Sequence, residues 1–148
     1  MFRRTSHAVY DCKYHLIWPV KYRKRALRHE HEREECAKLL RRIGEEYGME
    51  VEAVEVDEDH VHLHAVIPPQ RSVGRAVGIF KSLSARKMFK RFPHLKRMLW
   101  SGELWADGYC VRSVGEGVTA AMVRRYIESH AERASDPVQA ELFPKGKV

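Results

Sequence analysis

Apolar residues occupy every second position of the chain from about residue 9 to residue 18. The apolar set is Tyr10, Cys12, Tyr14, Leu16 and Trp18. The positions between them include Asp11, Lys13 and His15. Because successive side chains of a strand point to opposite faces, this alternation predicts a half-buried β-strand that ends at Pro19.

Three later stretches carry apolar residues at helical spacing. The first covers residues 30–47, where apolar positions return every three or four residues. The second begins after Ser72, a good N-cap residue, and continues to about residue 92, where Pro93 stops it. The third is predicted over residues 119–134.

The remaining regular stretches have the character of strands. Residues 49–56 are rich in valine, and residues 60–67 alternate between apolar residues and histidine. The polar turn at residues 57–59 lies between them, so the pair predicts a hairpin. Residues 104–114 predict a fourth strand, with an irregularity at Gly108.

The order of these elements is β-α-β-β-α-β followed by an extra helix. This order predicts an α+β fold of the ferredoxin-like or RRM-like kind, with helices on one face of a four-stranded antiparallel sheet and the other face available. We expect a single domain over residues 1–135. Residues 136–148 contain Pro137, Pro144 and Gly146, and we expect a flexible tail there.

Charge is distributed in blocks along the chain, whose net charge is +7. No acidic residue occurs from Gln70 to Trp100, a stretch that contains nine lysines and arginines. Twelve of the twenty acidic residues lie between Glu30 and Asp59. Although a block of charge is ordinarily just a solvated face, an acid-free stretch of this length favours a partner with a phosphate backbone.

Histidines mark the strand over residues 60–67. Val61, Leu63, Ala65 and Ile67 share its apolar face, so His60, His62 and His64 point to the face that the helices leave open. Histidines at alternate strand positions are close enough to share one metal ion. Taken alone the pattern has little specificity, because His-x-His also occurs in solvated strands.

The helix predicted over residues 119–134 carries Tyr126 and His130 four residues apart, and therefore on one face. A tyrosine at such a position ordinarily serves packing. The pair gains meaning from its combination with the histidine strand and the acid-free basic stretch in one short chain.

Five segments together resemble the single-tyrosine transposases of the HUH superfamily, of the insertion-sequence 200/605 type. In order they are YHLIWPVKYRKRAL, DEDHVHLHAVIPP, KSLSARKMF, LWADGYCVRSV and RRYIESH. The similarity runs from about Tyr14 to His130. It implies that His60 and His62 are metal ligands, that Tyr126 is the nucleophile, and that His130 is a third ligand where the family usually has glutamine.

The resemblance also implies an activity. A divalent metal ion, Mg²⁺ or Mn²⁺, would stabilise charge on the scissile phosphate while Tyr126 forms a 5′-phosphotyrosine bond to single-stranded DNA. The DNA would carry hairpins near the element ends, and a homodimer would share its two active sites between subunits. The expected phosphate contacts are Lys21, Arg23, Lys81, Arg86, Lys90 and Arg91.

Three other interpretations stay open. A non-catalytic RRM-like module would bind single-stranded nucleic acid, although such modules carry exposed aromatics where this sheet carries histidines. A metal-dependent hydrolase would use the histidines without Tyr126. A domesticated relative would keep the nicking chemistry in another biological role.

Localisation follows from what the sequence lacks. Its three cysteines are widely spaced, which indicates reduced thiols, and neither a signal peptide nor an apolar run of membrane-spanning length is apparent. We therefore expect a cytoplasmic protein with no membrane association.

Overall fold

The computed structural model describes residues 2–115, and the alternating stretch at residues 9–18 forms two strands in it rather than one. In the unit that contains residues 1–11, β1 (Arg3–Arg4) pairs with β2 (Val9–Tyr10) in a short antiparallel hairpin. The rest of the alternating stretch belongs to the unit formed by residues 12–114, where it forms β3 (Lys13–Pro19). The prediction of one continuous strand was therefore wrong, while its end at Pro19 is confirmed.

The larger unit contains four strands, three α-helices and a short 3₁₀ turn at Lys21–Arg23. Its elements are β3, α1 (Glu30–Glu46), β4 (Val51–Val56), β5 (His60–Val66), α2 (Val73–Arg91), α3 (Pro93–Met98) and β6 (Cys110–Ser113). The strands form one antiparallel sheet in the order β4-β5-β3-β6. Both the element order and the sheet order are those of the ferredoxin-like fold, so the predicted α+β class is confirmed.

The two central strands define the faces of the sheet. Leu16 and Trp18 of β3 and Val61 and Leu63 of β5 are fully buried in the core. The residues between them along each strand point to the other face and stay partly exposed, as alternation requires. At the end of β3, the indole of Trp18 packs near Phe80 of α2, with ring centroids 6.5 Å apart. The core thus lies between the sheet and the helices.

Local capping explains where the second helix begins and ends. The Ser72 hydroxyl accepts a hydrogen bond from the Arg75 N–H at 3.1 Å, as expected of an N-cap. Pro93 ends α2 as predicted, and it also opens α3, because proline suits the first turn of a helix. The sequence did not predict this short helix, which buries Leu95.

The fourth strand is shorter than the predicted span 104–114. Leu104 and Trp105 are buried as part of the core, and Trp105 makes only an isolated bridge to Val20. The indole of Trp105 also donates a hydrogen bond to the Ser84 hydroxyl at 2.9 Å. Gly108 then adopts a positive φ of 87°, the expected irregularity, and β6 begins only after it.

The remaining predictions about the chain ends fall outside the described residues. They are the helix over residues 119–134, the domain limit at residue 135 and the tail over residues 136–148. Within residues 2–115, no helix has the length and apolar character needed to cross a membrane.

Two helical glycines predict opposite responses to alanine. At Gly44 in α1 an added Cβ would lie 2.3 Å from the Met49 carbonyl oxygen and 2.8 Å from Val51 Cγ2, whereas at Gly78 in α2 it would meet nothing within 4 Å. We expect Gly44→Ala to lower the free energy of unfolding by about 1–3 kcal/mol. Gly78→Ala should raise it by about 0.5–1 kcal/mol, since alanine costs less entropy in a helix.

Thermal or urea unfolding of the two variants beside the unaltered protein provides the measurement. Because Gly78→Ala makes the same chemical change where space is free, it is the matched control. A stabilising Gly44→Ala would contradict the close approach of α1 to the start of β4.

Candidate functional site

The histidines of β5 meet the acidic turn that precedes them. His60 Nε2 and His62 Nε2 are 2.9 Å apart, and Asp57 Oδ2 lies 3.0 Å from His60 Nε2. Ligand atoms of these three residues all fall within 4.8 Å of one another. The site therefore contains two of the predicted ligands, together with a carboxylate that sequence reasoning had treated only as part of a polar turn.

This geometry fits a divalent metal ion. Two donors on adjacent corners of an octahedron, each about 2.1 Å from the metal, are separated by about 3 Å. The distance between the two imidazole nitrogens has this value. Imidazole and carboxylate donors together suit a divalent metal ion. Asp57, His60 and His62 are the described residues that would hold it.

His60 is oriented by the residue beside it. Its Nδ1 lies 2.6 Å from Asp59 Oδ1. The hydrogen bond with His60 lowers the pKa of the Asp59 carboxyl, which therefore accepts as a carboxylate. With the proton on Nδ1, the lone pair of His60 is on Nε2, the atom that faces His62 and Asp57.

His62 is oriented from the neighbouring strand. Its Nδ1 lies 3.1 Å from His15 Nε2 on β3. Burial lowers the pKa of His15, and the nearby His64 and His62 lower it further, which favours the neutral imidazole with one acceptor nitrogen. With the proton on Nδ1, the lone pair of His62 is on Nε2, the atom that faces His60.

His64 contacts His15 rather than the ligand cluster. The two rings stack with centroids 4.3 Å apart and planes 22° apart. His15 and His64 are also direct partners in the pairing of β3 with β5. Among the described residues, His64 thus supports the side chain that orients His62.

An open pocket of about 500 Å³ is lined in part by His60 and His62. Its lining combines the two histidines with one guanidinium and with the residues around Gly108: Ile17, Pro19, Arg23, His60, His62, Asp107, Gly108, Tyr109 and Cys110. Arg23 thus brings a positive charge to the same space as His60 and His62. A phosphate group in this pocket would meet both.

The other basic residues predicted to bind phosphate have different surroundings. Lys21 Nζ lies 2.7 Å from Glu103, and this hydrogen bond raises the pKa of Lys21. Lys81 Nζ donates to the Ala106 carbonyl at 2.6 Å and to the Gly108 carbonyl at 3.1 Å, and burial lowers its pKa.

The last three residues of that predicted set, Arg86, Lys90 and Arg91, lie on α2. Arg91 Nε lies 3.5 Å from Glu35, while Arg86 and Lys90 are exposed on α2. Lys21, Lys81 and Arg91 therefore have contacts within the protein, whereas Arg86 and Lys90 present their charge to solvent. Tyr126 and His130 lie outside the described residues.

Comparison with known proteins identifies the family. Residues 8–130 match the family model described as "Transposase IS200 like". The match covers most of the chain. This protein belongs to the IS200-like transposase family.

Individual relatives agree with this assignment. The chain is 42% identical over 125 residues to the ISDra2 transposase TnpA of Deinococcus radiodurans, covering 84% of this chain and 88% of that protein. It is 32% identical over 130 residues to the transposase for insertion sequence element IS200 of Salmonella typhimurium, covering 88% and 84%. A crystal structure assigned as a transposase from Deinococcus radiodurans is similar with a TM-score of 0.69 at 39% identity, covering 86% and 96%.

Family membership gives the site its general activity. An IS200-like transposase acts in DNA transposition, so the pocket at His60 and His62 belongs to an enzyme that cleaves DNA and transfers strands. The resemblance found in the five sequence segments is thereby confirmed.

Removing the His15 ring tests how His62 is oriented. We expect His15→Ala to weaken Mn²⁺ binding about 10- to 100-fold, the range typical of hydrogen-bond partners of metal-bound histidines. His15→Gln keeps an acceptor oxygen on a side chain of similar reach and should retain more of the affinity. Isothermal titration calorimetry of the full chain with Mn²⁺ measures both.

His64→Leu is the control for this series, because leucine can pack against His15 without changing the contact between His15 and His62. We expect its Mn²⁺ affinity to stay within about threefold of the unaltered protein, well below the loss typical of a removed hydrogen-bond partner. If His15→Ala bound Mn²⁺ as tightly as the unaltered protein, His15 would not position His62.

Proposed function

We propose that this transposase cleaves and rejoins single-stranded DNA through a covalent bond to Tyr126, with the help of a divalent metal ion, Mg²⁺ or Mn²⁺. The observation that carries the proposal is the pair His60 and His62. Their Nε2 atoms are 2.9 Å apart, and each Nδ1 has its own partner. A histidine pair oriented in this way suits metal binding rather than packing.

The metal site is held from the sheet. His60 and His62 supply two nitrogen ligands, and Asp57 offers an oxygen close to both. The resemblance to the family adds His130 as a further ligand. A bound divalent ion would supply positive charge to withdraw electron density from the scissile phosphate.

The covalent step is carried by Tyr126. Its phenolic oxygen loses a proton and forms a bond to phosphorus, while the bond from phosphorus to the 3′-oxygen breaks and that oxygen takes up a proton. The products are a 5′-phosphotyrosine and a free 3′-hydroxyl. Because one phosphodiester replaces another, the reverse step can join the phosphate to a new 3′-end without ATP.

Arg23 has the best position to bind the reacting phosphate. It lines the pocket with His60 and His62, so its guanidinium can pair with phosphate oxygens next to the metal ligands. Exposed Arg86 and Lys90 would bind the DNA backbone farther along the strand. The DNA that we propose is single-stranded, with hairpins near the element ends.

We further propose a homodimer whose two active sites each combine residues of both subunits. β6 is at one edge of the sheet, and its four residues are all exposed. Such an edge offers unpaired backbone groups to a second copy of the chain. In this arrangement Tyr126 and His130 of one subunit would complete the histidine pair of the other.

Replacing Tyr126 by phenylalanine removes the attacking oxygen alone. We expect Tyr126→Phe to keep its thermal stability, Mn²⁺ binding and DNA affinity, and to lose both strand cleavage and the covalent protein–DNA adduct. Single-stranded element ends are incubated with each protein in Mn²⁺ and resolved on a denaturing gel. His62→Ala serves as the comparison, since it should lose cleavage together with metal affinity.

Continued cleavage by Tyr126→Phe would point to a metal-dependent hydrolase instead. If the unaltered protein bound the same DNA without cutting it, a binding module of the RRM-like kind would account for the result.

Mixing two inactive variants tests the shared active site. Tyr126→Phe retains the histidine pair, and His62→Ala retains Tyr126 and His130, so a mixed dimer regains one complete site if the tyrosine acts across the dimer. We expect cleavage to recover to roughly a quarter of the unaltered level, because about half of randomly assorted dimers are mixed and each has one of two sites intact.

Subunit exchange is checked by tagging the two variants differently and isolating them together. Exchange without any recovery of cleavage would place Tyr126 in the same subunit as its metal ligands.

A further inference from the structure

Two exposed aromatic side chains meet one residue before Arg23, which lines the pocket. Trp100 is 87% exposed, the highest exposure of any large apolar residue in the described part of the chain, and Tyr22 is 61% exposed. Their ring centroids are 6.4 Å apart and their planes are tilted by 37°. An indole with so much exposed surface contributes little to the core, so core packing does not explain why tryptophan occupies this position.

The backbone at Tyr22 is held in an unusual conformation. Tyr22 and the next residue, Arg23, have positive φ angles of 62° and 51°, in the left-handed region that residues other than glycine seldom adopt. Backbone hydrogen bonds from Arg23 N–H to the Val20 carbonyl at 2.8 Å and from Lys21 N–H to the Leu104 carbonyl at 2.8 Å hold the turn. Such strain is typical of functional sites that the surrounding structure fixes in place.

Two lysines tie this turn to the segment that carries Trp100. Lys24 Nζ donates to the Met98 carbonyl at 2.8 Å, two residues before Trp100. Lys21 Nζ contacts Glu103 at 2.7 Å, three residues after it. The two contacts bracket Trp100 and bring its ring to Tyr22. Polar contacts on both sides of Trp100 therefore hold this segment against the turn that carries Tyr22.

Several cationic side chains flank the pair along the sequence. Arg23 follows Tyr22 directly and lines the pocket with His60 and His62. Lys96 and Arg97 are exposed in α3, a few residues before Trp100. Exposed aromatic rings among cationic side chains are the combination that binds single-stranded nucleic acid, in which bases stack and phosphates pair with charge.

We infer that Tyr22 and Trp100 form a stacking platform for an unpaired base of single-stranded DNA, next to the scissile phosphate held at Arg23 and the histidine pair. The inference rests on the proposed function, since it assumes a DNA strand in that pocket. It assigns these two aromatic residues to strand binding, with no part in metal binding or bond cleavage. Such a platform would bind without preference for the DNA sequence, because every base has an aromatic face.

Tryptophan fluorescence can report on this platform directly. The chain has three tryptophans, and Trp18 and Trp105 are buried, so Trp100 is the exposed fluorophore. The probe is single-stranded oligothymidylate, which forms no hairpin. We expect it to quench the exposed indole of the unaltered full-length protein and to protect it from iodide. Trp100→Phe should lose the signal but bind within a few-fold of the unaltered protein.

Affinity for the same probe is measured by fluorescence anisotropy. Trp100→Ala should bind about 5- to 100-fold more weakly, the range for loss of one base–aromatic stack. Its slope of log affinity against log salt should not change, because no phosphate contact is removed. Tyr47→Ala is the control, since Tyr47 is also exposed but lies at the end of the acidic helix α1, and it should bind as the unaltered protein does.

Tyr22→Asn adds a test in which stability and binding move in different directions. Asparagine tolerates a positive φ better than tyrosine, so the melting temperature should hold or rise while oligothymidylate affinity falls. A lower melting temperature with unchanged affinity would make Tyr22 a structural residue and overturn its place in the platform.

The remaining outcomes separate this inference from the proposed function. Equal affinity of Trp100→Ala and the unaltered protein, or no binding of oligothymidylate by the unaltered protein, would overturn the platform. Cleavage of the element ends in the same preparation would then leave the proposed function standing. Failure of both cleavage and all single-strand binding would overturn the two together.

Discussion

The pairing of β3 with β5 is the constraint on which the site depends. These two strands are the centre of the sheet, and their register puts His15 opposite His64 and Ile17 opposite His62. Because side chains alternate between faces, a shift of one residue would turn the histidines into the core and the core leucines out to solvent. Burial of the apolar face of both strands therefore fixes the position of the imidazoles on the other face.

The orientation of the His60 and His62 rings depends on the same pairing and on the turn before β5. His15 reaches His62 because β3 lies beside β5, and Asp59 reaches His60 because the turn delivers a carboxylate directly before the strand. A ring that a hydrogen bond already holds in one orientation loses little freedom when it binds a metal. The sheet thus prepares the site before any ligand arrives.

Sequence patterns predicted the parts of this arrangement that depend on period alone. Alternation in β5 was enough to put His60 and His62 on the open face, and the element order was enough for the fold. Asp57 and His15 were missed as members of the site because their contacts depend on the direction of a turn and on strand pairing. The spacing of apolar residues along the sequence predicts neither the turn direction nor the strand pairing. The burial of Trp105 in the core likewise depends on tertiary packing. For this reason the strand expected over residues 104–114 is shorter in the structure.

Lys81 joins two parts of the molecule that the sequence presents as separate. Its ammonium group, on the middle of α2, holds the carbonyls of Ala106 and Gly108, and the residues around Gly108 form one wall of the pocket. Two hydrogen bonds therefore join helix α2 to this wall, so the position of the helix helps to set the position of the wall.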